Sequence, residues 1–482
     1  MIFMSERPYL CDVRKFAKRR KVRVYLVGGF VRDLFLKREC MDFDFAVEKN
    51  AIAFAKAFAK SIRGAFILLD AEHGCARVAK KEKGRVLTYD FADFRGKTLK
   101  DDLKRRDFTI NTLSIDISSL EDGDCLEKGM ADAVRAKRDL KDGLLRMASK
   151  QAFVEDPLRI LRAFSLQAQL GFRIEKETLK QIKTDRDRIA GVSAERLRDE
   201  LFKILESDRA GTILRAMDRL GILDRVIPQV RLMFGVEQGT YHHLDVWPHA
   251  LETVKQCDQV IRMFRSDERI SGYLKEKIAA NHSRAALLRF SCLLHDIGKP
   301  DTRRKEGDRI CFHGHEHVGR QISDQVAKDL KLSTRERLAV GTMVRWHLRP
   351  GYLSNFKRPS ERAFFRYFRD TADEAVGIAL LSLADQQSTC GPMTTEDDQR
   401  HHKDICLEII DRFFLEKDKK PFVPLINGHD LINSLKLKPS PLFSEILSKV
   451  EEEQGLGRLT TPEGALAYAA KLAAQLGKKK PS

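Results

Sequence analysis

The feature of this sequence that most constrains its fold is a short stretch in which acidic and aromatic residues alternate. It runs Asp42-Phe43-Asp44-Phe45 and, with the apolar residues up to Val47, predicts a β-strand over 42–47. Alternate side chains of a β-strand point to opposite faces, so a strand here puts both carboxylates on one face and both rings toward a core. Two neighbouring carboxylates repel each other unless a cation lies between them, and Mg²⁺, a hard ion that takes oxygen ligands, is the cation we expect.

A diglycine lies a short distance before this strand. Gly28 and Gly29 follow an apolar run over 22–27 and precede a helix-like stretch over 30–36, which predicts a strand, a tight turn and a helix. Backbone N–H groups at the start of such a helix can receive a triphosphate, and Arg32 can add charge-assisted contacts. An isolated Asp-x-Asp pair is also typical of a solvated strand end, but beside this turn it indicates a nucleotide site.

The chain changes character after about residue 140. Up to that point strands and helices alternate, which predicts a small α/β unit. Further predicted elements of this unit are strands over 65–70, 75–79 and 85–91 and a helix over 51–62. Beyond it, Leu/Arg/Glu-rich segments such as 157–170 and 194–205 predict helices. A chain of 482 residues is too long for one ordinary core, so we expect two or more domains.

Composition narrows the choice of partners and of compartment. Lys and Arg number 88 against 70 Asp and Glu, a formal charge of +18 that indicates a polyanion such as nucleic acid but also fits a merely basic surface. The nine cysteines include no C-x-x-C pair, which argues against a disulfide framework and for a reducing cytoplasm. The first ten residues lack the apolar core of a secretory signal and no apolar run reaches transmembrane length, so we expect no membrane partner.

Two longer motifs extend the nucleotide site. Residues 26–33 run Leu-Val-Gly-Gly-Phe-Val-Arg-Asp; with the Asp-x-Asp strand they resemble the signature of the DNA polymerase beta-like nucleotidyltransferases, in particular class II CCA-adding enzymes and bacterial poly(A) polymerases. Residues 101–111 resemble the second motif of this family, which contacts the incoming nucleotide, and the resemblance implies this role for Arg106, Asp107 and Asn111. A charged, amphipathic helix start would explain these residue types but not their order. Asp90 could be a third carboxylate, although a surface aspartate is the simpler interpretation.

The segment from Glu155 to Arg162 resembles the family motif that serves as an amino-acid template. Asp156, Arg159 and Arg162 are spaced by three residues, so on a helix they would share one face, where an acceptor and a guanidinium can pair with the Watson–Crick edge of C or A. A surface ladder of salt bridges is the alternative. Many family members have a further arginine where this chain has Ser165, a position that bears on whether both C and A are accepted.

A short connection between two of these motifs also bears on whether the protein adds C, A or both. Between the Asp-x-Asp strand and the Arg-Arg-Asp motif, many members carry a flexible loop linked to the switch from C to A, and here the connection over 89–99 is brief. Loop-poor members include CC-adding enzymes and poly(A) polymerases. Addition of CC alone and addition of poly(A) therefore stay open beside full CCA addition.

A second cluster of chemistry-bearing residues lies in the C-terminal half. Residues 293–299 run Leu-Leu-His-Asp-Ile-Gly-Lys and resemble the HD phosphohydrolase superfamily. Imidazole and carboxylate ligands together suit a divalent transition metal, and an open coordination position would activate water against a phosphoester. The predicted ligands are His249, His295, Asp296 and Asp385. Candidates for a second metal or for phosphate contacts are His313, His315, His317 and His347. Histidines that only satisfy a polar core are the alternative.

These observations predict an α+β fold: a small DNA polymerase beta-like head with a mixed sheet and helices, then a mainly helical neck, body, HD domain and tail. The predicted domains are a head over 1–140, a nucleotide-selecting neck over 141–235, an HD domain over 236–420 and a tRNA-binding tail over 421–482. The resemblance implies template-independent addition of C and A to the 3′ end of tRNA from CTP and ATP, with Mg²⁺. An RNA-binding phosphohydrolase is the rival of another class, and both a monomer and a dimer stay open.

Overall fold

The computed structural model describes residues 8–38, 42–82, 84–121, 124–239, 244–279, 282–307, 309–389, 395–417 and 422–477. The chain divides into two compact units. The first comprises Met1–Ile204 and Ala216–Val226, and the second comprises Leu205–Arg215 and Ile227–Ser482. A mixed sheet with helices comes first and mainly helical structure follows, so the predicted α+β class is confirmed. The four-part domain division stays a prediction.

The N-terminal part is built on one seven-stranded sheet. Its strands are β1 Val24–Val27, β2 Asp42–Val47, β3 Ala65–Asp70, β4 Cys75–Glu82, β5 Arg85–Asp93, β6 Leu113–Asp116 and β7 Met130–Asp132. Its helices are α1 Pro8–Arg20, α2 Gly29–Phe35, α3 Ala51–Ile62 and α4 Leu99–Lys104. The strand order is β3-β4-β5-β2-β1-β6-β7, and β2 and β5 run parallel while the other neighbours run antiparallel.

The two faces of this sheet differ. Alanines and phenylalanines recur on one side of α3, and they pack with α1 on the face of the sheet that carries Phe43, Phe45 and Phe91. The ring centroids of Phe45 and Phe91 are 4.9 Å apart, and those of Phe58 and Phe91 are 5.7 Å apart. Each buried phenyl ring stabilises the fold by about 1.5–3 kcal/mol relative to an exposed one. This aromatic layer fixes β2 so that its carboxylates point to the opposite face.

The elements that follow the head are mostly helical. They are α5 Ala136–Lys141, β8 Leu144–Leu145, α6 Ala152–Glu155, α7 Arg159–Leu170, β9 Arg173–Ile174, α8 Lys176–Asp185, α9 Ala194–Leu205, α10 Ala210–Arg219 and α11 Leu223–Val226. The helix α7 buries Ile160, Leu161 and Phe164, whose spacing fits one helical face.

Over its described residues, the second unit is helical apart from two two-stranded pieces. Its elements begin with α12 Val246–Met263, α13 Glu268–Lys275, β10 Lys277–Ile278, β11 His282–Ser283, α14 Arg284–Leu294, α15 Lys299–Thr302, β12 Arg304–Glu306 and β13 Arg309–Cys311. They continue with α16 His315–Asp329, α17 Thr334–Trp346, α18 Arg349–Ser354, α19 Glu361–Thr371, α20 Ala375–Ser388, α21 Glu396–Lys417, α22 Gly428–Asn433, α23 Leu442–Gly455 and α24 Pro462–Gly477. Nearly every side chain of α14 is buried, which makes it the central helix of this unit.

The last three helices have a small core of their own, formed around Leu431, Ile446 and Ala469. Charge pairs join α23 to α19: Glu452 accepts from Arg366 Nε at 2.7 Å and lies 2.6 Å from Arg362 Nε. In the part of the chain that the structure describes, no helix combines the length and the apolar character needed to cross a bilayer.

Candidate active site

The structure brings three aspartates together on the open face of the head sheet. Asp44 is in register with Asp90 on β5, and Asp42 is in register with Thr88, whose hydroxyl donates to Asp42 Oδ1 at 2.5 Å. Asp90 is held by Arg77, which donates to both of its carboxylate oxygens at 2.7 Å. The simpler interpretation of Asp90 from the sequence was a surface aspartate, but the structure places it beside the predicted metal ligands.

The electrostatics of Asp44 favour a bound cation. Burial raises the pKa of its carboxyl group, the charge of Arg106 works against this rise, and Asp90 adds to it. A carboxylate that is both partly desolvated and close to like charges is stabilised by a cation between them. The available donors are carboxylate oxygens, which fits Mg²⁺ rather than a soft metal.

The diglycine turn packs directly against this carboxylate. Gly28 has φ 75° and ψ −144°, and a Cβ there would lie 2.8 Å from Asp44 Oδ2 and 3.2 Å from Arg106 Nη1. Gly29 begins α2, and a Cβ added to it would lie 3.5 Å from Arg32 Nη2, the nearest atom. The turn, the carboxylate and Arg106 thus meet at one point, as the predicted triphosphate site requires.

A buried polar chain connects this turn to α7. Arg32 pairs with Asp33 through two contacts of 2.9 Å and donates to Asn111 Oδ1 at 3.0 Å. Asn111 Nδ2 in turn donates to Asp107 Oδ1 at 3.0 Å, and Arg162 Nε lies 2.7 Å from Asp107 Oδ2. The predicted nucleotide-binding residues 32, 107, 111 and 162 therefore form one network.

The charge state of Asp107 is set by this network. Burial by itself raises the pKa of the carboxyl group, but the charge of Arg162 and the hydrogen bond from Asn111 outweigh it and hold the pKa below the ordinary value. Asp107 is therefore a buried carboxylate that fixes the direction of the Arg162 guanidinium.

The predicted base-reading residues occupy different settings. Asp156 lies between α6 and α7 in an extended conformation, because the residue before a proline avoids the helical region, and so it does not share a helix face with Arg159 and Arg162. Arg196 of α9 donates to Asp156 Oδ2 at 2.9 Å. The guanidinium of Arg159 is buried and donates to the carbonyl oxygens of residues 105 and 152 at 2.9 and 3.1 Å.

The position where many family members carry a further arginine is filled differently here. The Ser165 hydroxyl donates to Glu200 on α9, and Glu200 accepts from Lys203 at 2.8 Å. Both Ser165 and Glu200 are buried. A neutral hydroxyl paired with a carboxylate thus replaces a cation close to Arg162.

The second cluster forms around Asp296 and has two halves. Asp296 Oδ2 lies 3.2 Å from His295 Nε2 and 3.6 Å from His249 Nε2, and Asp385 Oδ1 lies 2.9 Å from His249 Nε2. Asp296 Oδ1 lies 3.4 Å from His315 Nε2 and 3.8 Å from His347 Nε2. One carboxylate therefore joins two groups of potential metal ligands.

Hydrogen bonds prepare these imidazoles to bind metal. The Nδ1–H groups of His295, His315 and His347 each donate to the carbonyl oxygen three residues earlier, at 2.8 Å. Because a carbonyl only accepts, Nδ1 of each ring carries a proton and Nε2 points to the cluster. Burial lowers the pKa of His295, but Asp296 and Asp385 outweigh it and raise the pKa to about 10, so this ring releases its Nε2 proton when a metal binds. Burial lowers the pKa of His347 to about 3 with help from His295 and His315, so this ring stays neutral. The donor set of imidazoles and carboxylates fits a divalent transition metal.

Two of the four additional histidines lie outside this cluster. His313 and His317 are exposed, and His317 Nε2 accepts from Arg345. Gly314, with φ 79°, ends the preceding turn so that α16 begins at His315 and directs this ring inward. Sequence reasoning named His315 and His347 only as part of a larger set, because the histidine-rich stretch does not itself reveal where the helix starts.

Comparisons with protein families agree with this arrangement. Residues 24–146 match the family described as Poly A polymerase head domain, and residues 171–233 match the probable RNA and SrmB-binding site of polymerase A. Residues 268–475 match the HD domain. The resemblance recognised in the sequence is thereby confirmed.

Curated relatives match along nearly the whole chain. It is 31% identical to the A-adding tRNA nucleotidyltransferase of Deinococcus radiodurans over 92% of this chain and 94% of that protein. It is 30% identical to the CC-adding tRNA nucleotidyltransferase of Thermus thermophilus over 92% of each protein.

Solved structures share the fold at lower identity. The Thermotoga maritima CCA-adding enzyme complexed with tRNA superposes with a TM-score of 0.59 and 23% identity, over 97% of this chain and 95% of that one. A CCA-adding enzyme in complex with ATP gives a TM-score of 0.62 and 22% identity, over 97% and 95% of the two chains.

Proposed function

This chain belongs to the tRNA nucleotidyltransferase family, and from that premise we propose that it adds C and A residues to the 3′ end of tRNA, using CTP and ATP without a template. The observation that carries the proposal is the meeting of Asp42 and Asp44 with the Gly28 turn and Arg106 on one open sheet face. Carboxylates for a metal and donors for a triphosphate are the two parts that nucleotidyl transfer needs at one point.

The residues of the site have separate roles in metal binding and in triphosphate binding. Asp42 and Asp44 would hold Mg²⁺, and Gly28, Gly29 and Arg106 receive the triphosphate. Bound there, Mg²⁺ would supply charge that stabilises the α-phosphate of the transferred nucleotidyl group and the leaving pyrophosphate. Arg32 is connected to this site through the polar chain in which it donates to Asn111 and Asn111 donates to Asp107.

Nucleotide choice is assigned to the junction of α7 and α9. Arg162 is aimed by Asp107, and Asp156 is aimed by Arg196, so one donor and one acceptor have fixed directions. Such a pair can read the Watson–Crick edge of a base. Arg159 donates to the backbone carbonyl oxygens of residues 105 and 106, which supports a role in positioning this segment of the same site.

Two of the relatives that match over nine-tenths of the chain divide CCA addition between them, since one adds A and the other adds CC. The decisive experiment therefore uses tRNA transcripts that end at the discriminator base, at C or at CC. Each transcript receives CTP, ATP or both with Mg²⁺, and product length is read at single-nucleotide resolution. We expect C and A to be added; long A tails would instead identify a poly(A) polymerase, and addition of CC or A alone would assign one partial reaction.

A matched pair of variants ties this activity to the site. Asp44→Asn removes a proposed metal ligand and should abolish incorporation. Asp12→Asn removes an exposed carboxylate on α1, away from the open sheet face, and should leave incorporation unchanged. Normal incorporation by Asp44→Asn would refute the assignment.

Metal-dependent phosphoester hydrolysis is a second candidate function, favoured by the position of Asp296 between two ligand groups. A divalent transition metal bound there would supply an activated water. With Mn²⁺ or Ni²⁺, a chromogenic phosphodiester should be cleaved by the unmodified protein and by Asp44→Asn. Cleavage should be lost in Asp296→Asn and kept in Asp301→Asn, which changes an exposed aspartate of α15. Equal cleavage by Asp296→Asn and Asp301→Asn would exclude the cluster around Asp296 as the site of hydrolysis.

A further inference from the structure

The open face of the head sheet continues from the carboxylates to the free edge at β3. Cross-strand register puts Asp44, Asp90, Arg77 and Ile67 in one row on this face. Nine exposed or half-exposed residues of β3, β4 and β5 on this face are Ala65, Ile67, Cys75, Arg77, Ala79, Lys81, Val86, Thr88 and Asp90. We call these nine residues the primer strip, and we propose that it binds the single-stranded 3′ end of the RNA acceptor. The proposal rests on the nucleotidyl-transfer function proposed above.

The direction of the reaction places the acceptor strand on this side. In phosphoryl transfer the attacking oxygen and the leaving group lie roughly in line through the phosphorus. The Gly28 turn follows β1, and Val27 of β1 is in register with Asp44, so the triphosphate site lies on the β1 side of the carboxylates. Pyrophosphate leaves on that side. The 3′-hydroxyl therefore approaches from the β5 side, and the strand that carries it extends over β5, β4 and β3.

The chemistry of the primer strip fits an RNA strand. Ile67 and Val86 offer exposed apolar surface, and Ala79 between them allows a sugar or a base to approach closely. Arg77 and Lys81 lie on the same face of β4, about 13 Å apart from a rise of 3.3 Å per residue, and can contact separate phosphates.

Arg77 has a further property that suits a nucleobase. Both of its contacts with Asp90 are 2.7 Å long, so the guanidinium is held in one plane. A fixed guanidinium plane is a surface on which a base can stack. Among these nine residues Asp90 is the one acid, and it lies at the catalytic end, paired with Arg77. A further acid, Asp70, is in register with Cys75 after the irregularity in β3 and lies at the opposite end of the strip.

The size of the primer strip favours the acceptor end over the incoming nucleotide. From β2 to β3 there are three strand spacings, about 14 Å in all, which is wider than one base. The opposite face of β4 and β5 is covered by α3, which packs on α1, so the primer strip is the face of these two strands that is open to a ligand. On β3 the opposite face is exposed at Leu68. Continuity with the carboxylates makes the 3′ end of RNA the occupant whose reacting atom reaches Asp44.

Two pairs of neighbouring residues on opposite faces test the proposal. Ile67 and Leu68 are exposed to similar extents, 45% and 51%, but Leu68 is in register with Ala76 on the other face. Lys81 belongs to the primer strip, and Lys80 points to the other face, in register with Leu87. Ile67→Asp should raise KM for tRNA about tenfold and leave KM for the nucleotide unchanged, while Leu68→Asp should change neither. Lys81→Ser should lower the salt dependence of tRNA binding by about one phosphate contact relative to Lys80→Ser.

Each outcome decides between the proposals. Equal KM for tRNA in Ile67→Asp and Leu68→Asp, with an active enzyme, would overturn the primer strip and leave the transfer function intact. A rise in KM for the nucleotide instead would assign the surface to the incoming nucleotide and also overturn it. Absence of transfer in the unmodified protein would refute the transfer function itself. If Ile67→Asp failed to fold, the comparison of Lys81→Ser with Lys80→Ser would decide alone.

Discussion

Replacing Gly28 by alanine should damage both the stability of the head and its chemistry. At φ 75° and ψ −144° the backbone of Gly28 is in a region that is essentially restricted to glycine, and a side chain there costs about 1–3 kcal/mol. The added Cβ would also lie 2.8 Å from Asp44 Oδ2, so that this carboxylate must move. A displacement of about 1 Å at a reacting centre can lower the rate by about 10²-fold, and we expect kcat of Gly28→Ala to fall by that order.

The matched control is the neighbouring Gly29→Ala. Its Cβ would lie 3.5 Å from Arg32 Nη2, an ordinary contact distance. Gly29 is also the first residue of α2, where alanine is as favourable as glycine or better by up to about 1 kcal/mol. Gly29→Ala should therefore keep the stability of the head.

The assay must report on the head alone. Both tryptophans, Trp247 and Trp346, belong to the second unit, so tryptophan fluorescence would not detect the change. Hydrogen exchange of peptides that cover β1 and β2 measures the local free energy of opening, and single-nucleotide incorporation gives kcat. If Gly28→Ala matched Gly29→Ala in exchange and retained full kcat, the argument from backbone conformation and close approach would be wrong.

Three further predictions follow from buried groups. Arg162→Met removes the main charged partner of Asp107, whose carboxyl pKa is lowered in the folded protein. The loss of folding stability should be complete above pH about 4, near the pKa of the unfolded chain, and should shrink as the pH falls through the pKa of the folded protein. Hydrogen exchange of the peptide that contains Asp107 measures this stability at each pH. Arg289→Met should destabilise the second unit by about 3–5 kcal/mol in urea unfolding followed by tryptophan fluorescence, because Asp258, 2.7 Å from Arg289 Nε and also buried, loses its guanidinium partner. His347→Ala should lower the bound Mn²⁺ by one equivalent relative to the unmodified protein by metal analysis; an unchanged Mn²⁺ content would show that this ring is not a ligand.

Local patterns in the sequence were sufficient for several elements. The strand over 42–47 and the helices over 51–62 and 194–205 were predicted with the bounds that the structure has. Each has a strong periodic signal: alternation of Asp and Phe in the strand, and Ala, Phe and Leu on one side of the helices. The family resemblance added the members of the polar network around Asp107, which no local pattern would have connected to Arg32.

Other features depend on which segments meet. The approach of Asp90 to Asp44 follows from the parallel pairing of β5 with β2 and from its register, and neither is encoded in the residues around Asp90. Similarly, His315 joins Asp296 because α16 starts at that residue and packs against the cluster, whereas His317, two positions later on the helix, points elsewhere. The extended conformation of Asp156 was within reach of the sequence, since Pro157 follows it.

The opposed faces of β2 have a consequence for how a gene for such a head can change. A substitution at one position of β2 alters one face only, and the other five side chains keep their direction. Insertion or deletion of a single codon within 42–47 would reverse every side chain beyond it, placing carboxylates among the rings around Phe91 and phenyl groups where the metal ligands belong. Sequence divergence in this strand is therefore restricted to point replacements, and length variation must be confined to the turns on either side.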